Sequence, residues 1–583
     1  MIQKHLFAIV VALLVGLASL LHYGLLRNAM GSSYDGIIYS SSADDYVYLT
    51  RIHEVLDGHP LLGSALYHEY KDQLPVVLPF GEYFYAFPAY ITGFGGDAVL
   101  IYAKFLFPVL LFLVIYGLFL SLVGEASWDA RFGAVAVSLL IVLGYELVDV
   151  RFIMDLFLGN FKGDRPLWVT RPVNPITGLL LLFGGLSLLL RVTKHPRAMY
   201  GGLLALFLIC ASSYVFSFAI LTVVALLWGF FLWKRGGSGS RPARVVWGGA
   251  CAGLLVLIPY ISFTSALLTG DEGKSFALRN GMFFSHMPII NKFLLAISLV
   301  YACGVWFWQR RRRNQEDAFP VRRGLAFGGV LLLASWIAFN QQILTGRTIW
   351  PAHFVQYTIP IGFFVTFSLL FIVFRPYMPR LWRGMMIGVA LVSVLVGTLP
   401  QRPTHASLQG AIRQQVFFPL LSFLNSTASR DCVVLTQSAE VERLVPAYTG
   451  CNLYAPLGWN FSGVPLDRVR FNYLVALRLR GVTEVTVADY LLLRTDELRG
   501  IFFRDWIDLF GHGEEEWISD LRISLGEEYK TFLKLDFMTE LARYRLDYLV
   551  ADQEIPQAVK MFFRARALEQ RLFPGGLELY RFR

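Results

Sequence analysis

Long apolar segments recur along this 583-residue chain as far as about residue 400. A helix needs about 20 apolar residues to cross the hydrocarbon core of a bilayer. Segments near or above this length lie at residues 5–26, 101–123, 131–148, 176–190, 199–211, 214–233, 244–265, 291–309, 323–339, 355–374 and 381–399. Charged residues make up only 16% of the chain, too few to cover the surface of a soluble protein of this size. The sequence therefore predicts an α-helical polytopic membrane protein with about eleven transmembrane helices.

Basic residues cluster in alternate loops between these segments. The clusters contain Arg191 and Arg197, Lys234 and Arg235, Arg322 and Arg323, and Arg375, Arg380 and Arg383. Cytoplasmic loops of membrane proteins collect Lys and Arg, so we expect these loops to face the cytoplasm. The formal charge of +10 is largely explained by such loops, which argues against a nucleic-acid partner. The outer loops are then 27–100, 149–175, 211–214, 266–290 and 340–354, and the C-terminal tail lies on the same side.

The polar mass of the chain is concentrated in the first outer loop and in the tail. We expect residues 1–400 to form a transmembrane module, with the first outer loop at 27–100, and residues 401–583 to form a non-cytoplasmic α/β domain. In the tail, short apolar runs predict strands at 431–436, 546–550 and 577–580, and helical patterns lie at 466–480 and 535–545.

Cys432 and Cys451 are the only cysteines of the tail. In an oxidising compartment they can form a disulfide if their Cα atoms come close, a separation that the sequence leaves open. No spacing of cysteine and histidine is typical of a metal site.

Two adjacent carboxylates, Asp44 and Asp45, follow the first apolar segment. Apolar residues spaced at helical intervals after them predict an amphipathic helix over 46–57 that lies along the membrane surface. Asp44 or Asp45 suits the N-terminus of this helix, where the free N–H groups and the helix dipole favour a carboxylate, and Asp57-Gly58 suits its end. The pair therefore either only caps the helix or is held by it at a fixed place for chemistry.

An acidic pair after the first transmembrane helix, an interfacial helix and an aromatic stretch over Gly81–Gly95 are followed by many more apolar segments. In this order of features residues 1–400 resemble the GT-C class of polyprenyl-phosphate-sugar-dependent membrane glycosyltransferases, of which the dolichyl-phosphate-mannose mannosyltransferases are examples. The resemblance implies that one carboxylate acts as general base on an acceptor hydroxyl, whose oxygen attacks the anomeric carbon with inversion. On this basis we expect Asp45 to be the base and Asp44 to orient it or share the role.

The departing lipid phosphate needs cations, and later outer loops supply candidates. Arginine suits a phosphate because its planar group can donate two parallel hydrogen bonds. Arg171 and Arg347 lie at the ends of apolar segments, Arg151 precedes Arg171 in one loop, and His353 begins a segment. We expect these four residues to bind the donor phosphate. The alternative for each is a role at the lipid headgroups.

Three further carboxylates are candidates for binding the sugar or the acceptor. Glu69 and Glu82 lie in an aromatic-rich loop, where they either hydrogen-bond sugar hydroxyls or are simply solvated. Asp155 either serves the acceptor or a metal, or pairs with Arg151 four residues earlier. A single Asp pair without a second acidic cluster favours chemistry without a metal, so we expect no cofactor, although a divalent metal stays an alternative.

The leading interpretation is a glycosyltransferase at the outer face of a bacterial plasma membrane. Its expected partners are a polyprenyl-phosphate-linked sugar, membrane lipids and a glycan, lipid or protein acceptor. A transporter or flippase of lipid-linked sugars is an alternative, but transporters bury ionisable residues at mid-membrane and these segments hold few. Further alternatives are an O-antigen-ligase-like enzyme that relies on outer-loop Arg and His, and a non-catalytic scaffold.

Overall fold

The computed structural model describes residues 2–40, 43–160, 163–192, 196–237, 239–311, 319–458, 463–503 and 514–583. Helices dominate these residues. Up to residue 240 they are α1 (Leu6–Ser19), α2 (Leu21–Met30), α3 (Ala43–Leu56), α4 (Phe80–Thr92), α5 (Gly96–Val123), α6 (Trp128–Leu143), α7 (Val150–Phe157), α8 (Ile176–Arg191), α9 (Pro196–Ser213) and α10 (Val215–Gly236). Between residues 241 and 400 they are α11 (Arg241–Leu267), α12 (Gly270–Arg279), α13 (Lys292–Arg311), α14 (Phe319–Phe339), α15 (Gln342–Thr345), α16 (Pro351–Val373) and α17 (Pro379–Thr398).

The tail adds further short helices and most of the strands. The helices are α18 (His405–Gln415), α19 (Phe418–Thr427), α20 (Ala439–Tyr448), α21 (Leu466–Leu479), α22 (Val487–Leu493), α23 (Thr495–Phe502), α24 (Glu514–Leu533), α25 (Phe537–Leu541) and α26 (Gln557–Arg564). The strands of the whole chain are β1 (Met282–Phe284), β2 (Arg347–Ile349), β3 (Val433–Thr436), β4 (Asn452–Leu453), β5 (Tyr548–Ala551), β6 (Glu569–Phe573) and β7 (Leu577–Arg581).

The chain divides into two compact units. Unit 1 consists of Met1–Ala29, Ala98–Pro259 and Ser285–Leu408. Unit 2 consists of Met30–Asp97, Tyr260–Phe284 and Gln409–Arg583. The first outer loop and the C-terminal tail, which the sequence leaves as separate pieces, thus belong to one folded unit.

Every predicted apolar segment coincides with a helix or, at residues 5–26, with the pair α1 and α2. Within the described residues seven helices are long and apolar enough to cross a membrane, namely α5, α10, α11, α13, α14, α16 and α17. The pair α1 and α2, bent by 43°, can form an eighth span. In α11 and α13 only 17% of the most apolar window is buried inside the protein, so most of its side chains face outward, as lipid contact requires. Length and composition thus support seven or eight spans, and the remaining predicted spans correspond to the shorter helices α6, α8 and α9.

The basic loops meet at one end of unit 1. Arg383, in the first turn of α17, donates to Asp129 at the start of α6 at 2.7 Å, and Arg375, after α16, lies 3.5 Å from the same carboxylate. Arg323, at the start of α14, donates to the carbonyl of Leu190 at the end of α8. The structure therefore brings together loops that the sequence assigned to one face of the membrane.

Unit 2 contains a five-stranded sheet with the order β4-β3-β5-β7-β6. Strand β3 pairs in parallel with β4 and β5, whereas β7 pairs antiparallel with β5 and β6. The central strands β3 and β5 are buried along their whole length, which explains why they were detectable as continuous apolar runs. The predicted strands and the helix at 466–480 are confirmed, whereas the pattern at 535–545 yields only the short helix α25.

Cys432 and Cys451 form a disulfide, with their Cα atoms 4.5 Å apart. The two residues directly precede the paired strands β3 and β4, so the sheet itself brings them within bonding distance. The pairing that the sequence left open is thus formed.

Helix α3 covers the predicted amphipathic helix and packs against α4 and α20 inside unit 2. Its apolar residues Leu49 and Ile52 are buried among protein atoms. The buried ammonium of Lys71 lies 2.7 Å from the carboxylate of Glu54 on α3 and also contacts Asp431 beside β3. The apolar stripe and these ion pairs therefore hold the first outer loop on the C-terminal α/β fold.

Candidate functional site

The acidic pair occupies the first turn of α3. Asp45 is 6% exposed, and Asp44 is half-buried. The next residue, Tyr46, is buried, and its hydroxyl donates to the side-chain oxygen of Gln414 at 2.8 Å. Burial raises the pKa of Tyr46 far above its ordinary value, so this hydroxyl stays protonated. The structure thus holds the two carboxylates on a helix that is fixed at both faces, as a preorganised group requires.

The two other predicted carboxylates of this loop are in ion pairs. Glu82 is buried against the guanidinium of Arg51 on α3, and Glu69 accepts from Nε of Arg468 on α21 at 2.7 Å. Burial raises the pKa of Glu82 in spite of the neighbouring Arg51. Both carboxylates have cationic partners within unit 2, and their role in binding a sugar stays a prediction.

Unit 1 contains a hydrogen-bonded group around His353, in the first turn of α16. The hydroxyl of Tyr214, which precedes α10, lies 2.7 Å from Nδ1 of His353. The side-chain nitrogen of Asn174, just before α8, lies 3.5 Å from the same atom. Tyr357 donates to the side-chain oxygen of Asn174 at 3.1 Å and packs on Gly178, where any Cβ would collide with its ring. The starts of α8, α10 and α16 therefore converge on one histidine.

The partners of Nδ1 allow a tautomer to be assigned to the histidine. Because Tyr357 donates to the oxygen of Asn174, the amide nitrogen of Asn174 faces His353. An amide nitrogen only donates, so this orientation of Asn174 assigns Nδ1 of His353 as acceptor and the ring proton to Nε2. In this state His353 presents an N–H donor at the edge of its ring opposite the cluster.

The other predicted cations lie in unit 1. Arg171 is half-buried in the loop that carries Asn174, and Arg347 is half-buried in β2. Arg151 and Asp155 both lie on α7, where they are exposed and form no ion pair with each other. The structure therefore places His353 beside the loop of Arg171, while the binding roles of all these residues stay predictions.

Tyr214, Asn174 and Tyr357 were not candidates from the sequence. The sequence identified the turn at 211–214 as an outer connection between short helices, but gave no sign that Tyr214 meets a histidine 139 positions later. Only the packing of three helix starts brings these polar groups together.

Within the ranges that the structure describes, no group of three or more His, Cys, Asp or Glu side chains is arranged to hold a metal ion. The two carboxylates of α3 supply the oxygen ligands that magnesium or calcium prefers, but no third ligand of these types completes a site there.

No protein-family model matches the chain, and no curated protein matches it. Among solved structures, the chain is similar to the oligosaccharyltransferase AglB from Archaeoglobus fulgidus in complex with an inhibitory peptide and a dolichol-phosphate. The sequence identity is 13% and the TM-score is 0.39, and the match covers 95% of this chain and 70% of that one. It is also similar to the Archaeoglobus fulgidus oligosaccharyltransferase in complex with Zn and sulfate, with 12% identity, a TM-score of 0.44 and coverage of 93% and 68%. Similarity at this level assigns no activity to the chain.

Proposed function

We propose that this protein is an inverting glycosyltransferase that moves a sugar from a polyprenyl-phosphate carrier to a hydroxyl of a glycan, lipid or protein acceptor at the outer face of a plasma membrane. The observation that carries the proposal is the acidic pair in the first turn of α3, directly after the first apolar helices of a multi-span chain. Asp45 is 6% exposed there, and Asp44 beside it is half-buried. A carboxylate held at a fixed place in the first turn of a helix is positioned as a general base requires.

In this proposal Asp45 accepts the proton of the acceptor as its nucleophilic atom attacks the anomeric carbon. The bond from that carbon to the phosphate oxygen breaks, and the lipid phosphate leaves on the opposite face of the sugar. A positioned base of this kind contributes roughly 10²- to 10⁴-fold to a rate. Asp44 orients the base or shares its role.

The leaving phosphate carries developing negative charge, which N–H donors and arginines stabilise. We assign this role to His353, through the proton on Nε2, together with Arg171 and Arg347. Support for His353 comes from the Tyr214 hydroxyl at 2.7 Å and the Asn174 amide nitrogen at 3.5 Å from Nδ1, because these groups orient the ring. Arg151 and Asp155 are exposed on α7 and belong, in this proposal, to the outer surface where lipid and acceptor arrive.

The sidedness of the chain follows from its charges. The end of unit 1 at which Arg323, Arg375 and Arg383 meet is the cytoplasmic end in this proposal, because cytoplasmic loops collect basic residues. The tail, with its disulfide, then lies in an oxidising compartment outside the cytoplasm.

The test measures sugar transfer by the full chain in membranes that contain a radiolabelled polyprenyl-phosphate sugar. We expect Asp45→Asn to reduce transfer by at least 100-fold while donor binding is unchanged. Asp35→Asn is the matched control, since Asp35 is an exposed carboxylate of the same loop and the substitution is equally conservative. We expect full activity from this control.

The outcomes separate the competing functions. A transporter of lipid-linked sugars moves labelled lipid across the membrane without transferring its sugar, and it keeps its turnover in Asp45→Asn. A ligase-like enzyme that depends on outer-loop Arg and His loses transfer in His353→Ala but keeps it in Asp45→Asn and Asp44→Asn. Either pattern would exclude an aspartate base.

A further inference from the structure

Unit 2 contains a cavity of about 820 Å³ next to the acidic pair. Side chains of α3, α12, α20 and α23 and the chain segment 62–66 line it. On α3, Tyr46 and Arg51 are lining residues, one and six positions after Asp45. Cavities that bind small ligands commonly measure about 300–1,000 Å³ and combine apolar walls with a few placed polar groups. The size and position of this cavity therefore suit a ligand of one or two sugar units.

Most charged side chains of the cavity wall neutralise one another. Arg443 pairs with Glu440 within α20, and Arg480 donates to Glu497 at 2.6 Å. Arg51 pairs with Glu82, as described above. These arginines are therefore compensated before any ligand binds.

Glu442, the remaining carboxylate of the wall, accepts the backbone N–H groups of Leu457 and Gly458 at 3.1 and 2.8 Å. Burial raises the pKa of Glu442, while the two backbone N–H groups act to lower it, and among the described residues Glu442 forms no ion pair with an arginine of the wall. It does not compensate a further arginine.

Arg279, at the end of α12, is the exception among the arginines of the wall. It is only 5% exposed, and among the described residues it forms no ion pair. Its Nε donates to Ser275 at 3.3 Å and its Nη2 to the carbonyl of Val464 at 3.0 Å, but Nη1 has no hydrogen-bond partner. Glu272 of the same helix influences Arg279 electrostatically without contacting it. A buried guanidinium without a carboxylate is costly, so its charge calls for an anionic partner.

We propose that this cavity binds an anionic group of the acceptor, a sugar that carries a carboxylate or a phosphate, and that Arg279 is the residue that selects for its charge. The identification of the bound sugar as the acceptor rests on the proposed function. The binding of an anionic sugar in the cavity is independent of it. A guanidinium can donate two parallel hydrogen bonds to either oxyanion, and Nη1 of Arg279 has no partner among the described residues. A neutral sugar leaves the arginine uncompensated and binds more weakly.

The experiment measures binding to the purified full chain in detergent by calorimetry, with glucuronate, glucose 6-phosphate and glucose as probes. We expect at least one anionic probe to bind at least tenfold more tightly than glucose. A preference for glucuronate identifies a carboxylate ligand, and a preference for the phosphate ester identifies a phosphorylated one. Arg279→Gln should remove the preference, while Arg470→Gln, whose ion pair with Glu528 lies outside the cavity wall, should keep it.

A second variant guards against misfolding of Arg279→Gln. Gly500 lines the cavity from α23, and a Cβ added there meets no atom within 4 Å. Gly500→Leu therefore adds a side chain at an exposed residue of the cavity wall without disturbing an ion pair, and leucine favours the helix more than glycine does. We expect it to weaken binding of the anionic sugar at least tenfold with no loss of thermal stability.

Equal binding of glucose and both anionic sugars, or no binding at all, would overturn the proposal. Unchanged affinity for the anionic sugars in both single variants, Gly500→Leu and Arg279→Gln, would also overturn it. If glucuronate binds as expected but no labelled sugar is ever transferred, the cavity assignment stands and the glycosyltransferase proposal fails. If Asp45→Asn abolishes transfer while no anionic sugar binds the cavity, the glycosyltransferase proposal stands and the cavity assignment fails.

Discussion

Lys71 is the central cation of a buried group of charges in unit 2. Its side chain is almost fully buried between the carboxylates of Glu54 and Asp431, and His59 lies 3.3 Å from Asp431. Substitution Lys71→Met keeps the length and the apolar stem of the side chain but removes the charge. It leaves two carboxylates close together with only His59 to compensate them.

Removal of one partner from a buried ion pair costs about 3–5 kcal/mol. Burial raises the pKa of Glu54 in spite of the neighbouring Lys71, so in the variant Glu54 can take up a proton and relieve part of this cost. We therefore expect a loss near the lower limit, about 3 kcal/mol at neutral pH. Because protonation relieves the two carboxylates, the loss should be smaller at about pH 5 than at about pH 7.5.

Hydrogen exchange of the full chain in detergent measures this loss locally. Peptides from β3 and β5 report the unfolding free energy of the sheet that Asp431 adjoins. Lys530→Met is the matched control, because Lys530 forms an exposed ion pair with Glu527 at 2.8 Å on α24, a kind of pair that contributes little. Equal protection of β3 in the two variants, or a deficit for Lys71→Met that grows as the pH falls, would refute the reasoning.

Three further predictions concern His59, the disulfide and Tyr214. Burial lowers the pKa of His59, but the hydrogen bond to Asp72 and the nearby carboxylates outweigh it, so the pKa is raised overall. The stabilisation from protonated His59 is therefore complete below the ordinary pKa of about 6.5 and is lost as the pH rises through the raised pKa. The difference in melting temperature between wild type and His59→Gln should accordingly shrink towards alkaline pH. Cys432 and Cys451 lie 19 positions apart, and replacing both by serine opens the loop that their disulfide closes. In urea denaturation the unfolding free energy of the variant should be about 3 kcal/mol below that of the oxidised wild type. Reduced wild type is the control and should match the variant. Tyr214→Phe removes one hydrogen bond that orients His353. Because His353 stabilises charge that develops as the phosphate leaves, kcat for sugar transfer should fall about tenfold with a smaller change in KM, and a rise in KM alone would argue against this role.

The apolar pattern identified the membrane-spanning helices because lipid imposes it directly. A helix that crosses lipid satisfies its own backbone polar groups and must be long and apolar, so each such segment is visible without knowledge of its neighbours. The same holds for β3, whose complete burial requires an unbroken apolar run, and for α3, which begins at the two aspartates that a helix start favours.

The candidate sites depend on contacts that no local pattern encodes. The side-chain amide of Gln415 accepts from the N–H of Ile37, 378 positions earlier, and donates to its carbonyl. These hydrogen bonds connect the first outer loop to the tail. The hydrogen bond of Tyr214 to His353 and the missing ion-pair partner of Arg279 likewise arise between distant segments. Hydrogen bonds and ion pairs act over a few ångströms in any direction, whereas periodicity records only whether a position faces lipid, protein or water. The sequence alone therefore determined the helices and the place of the acidic pair along the chain, and only the tertiary structure decided which polar groups meet.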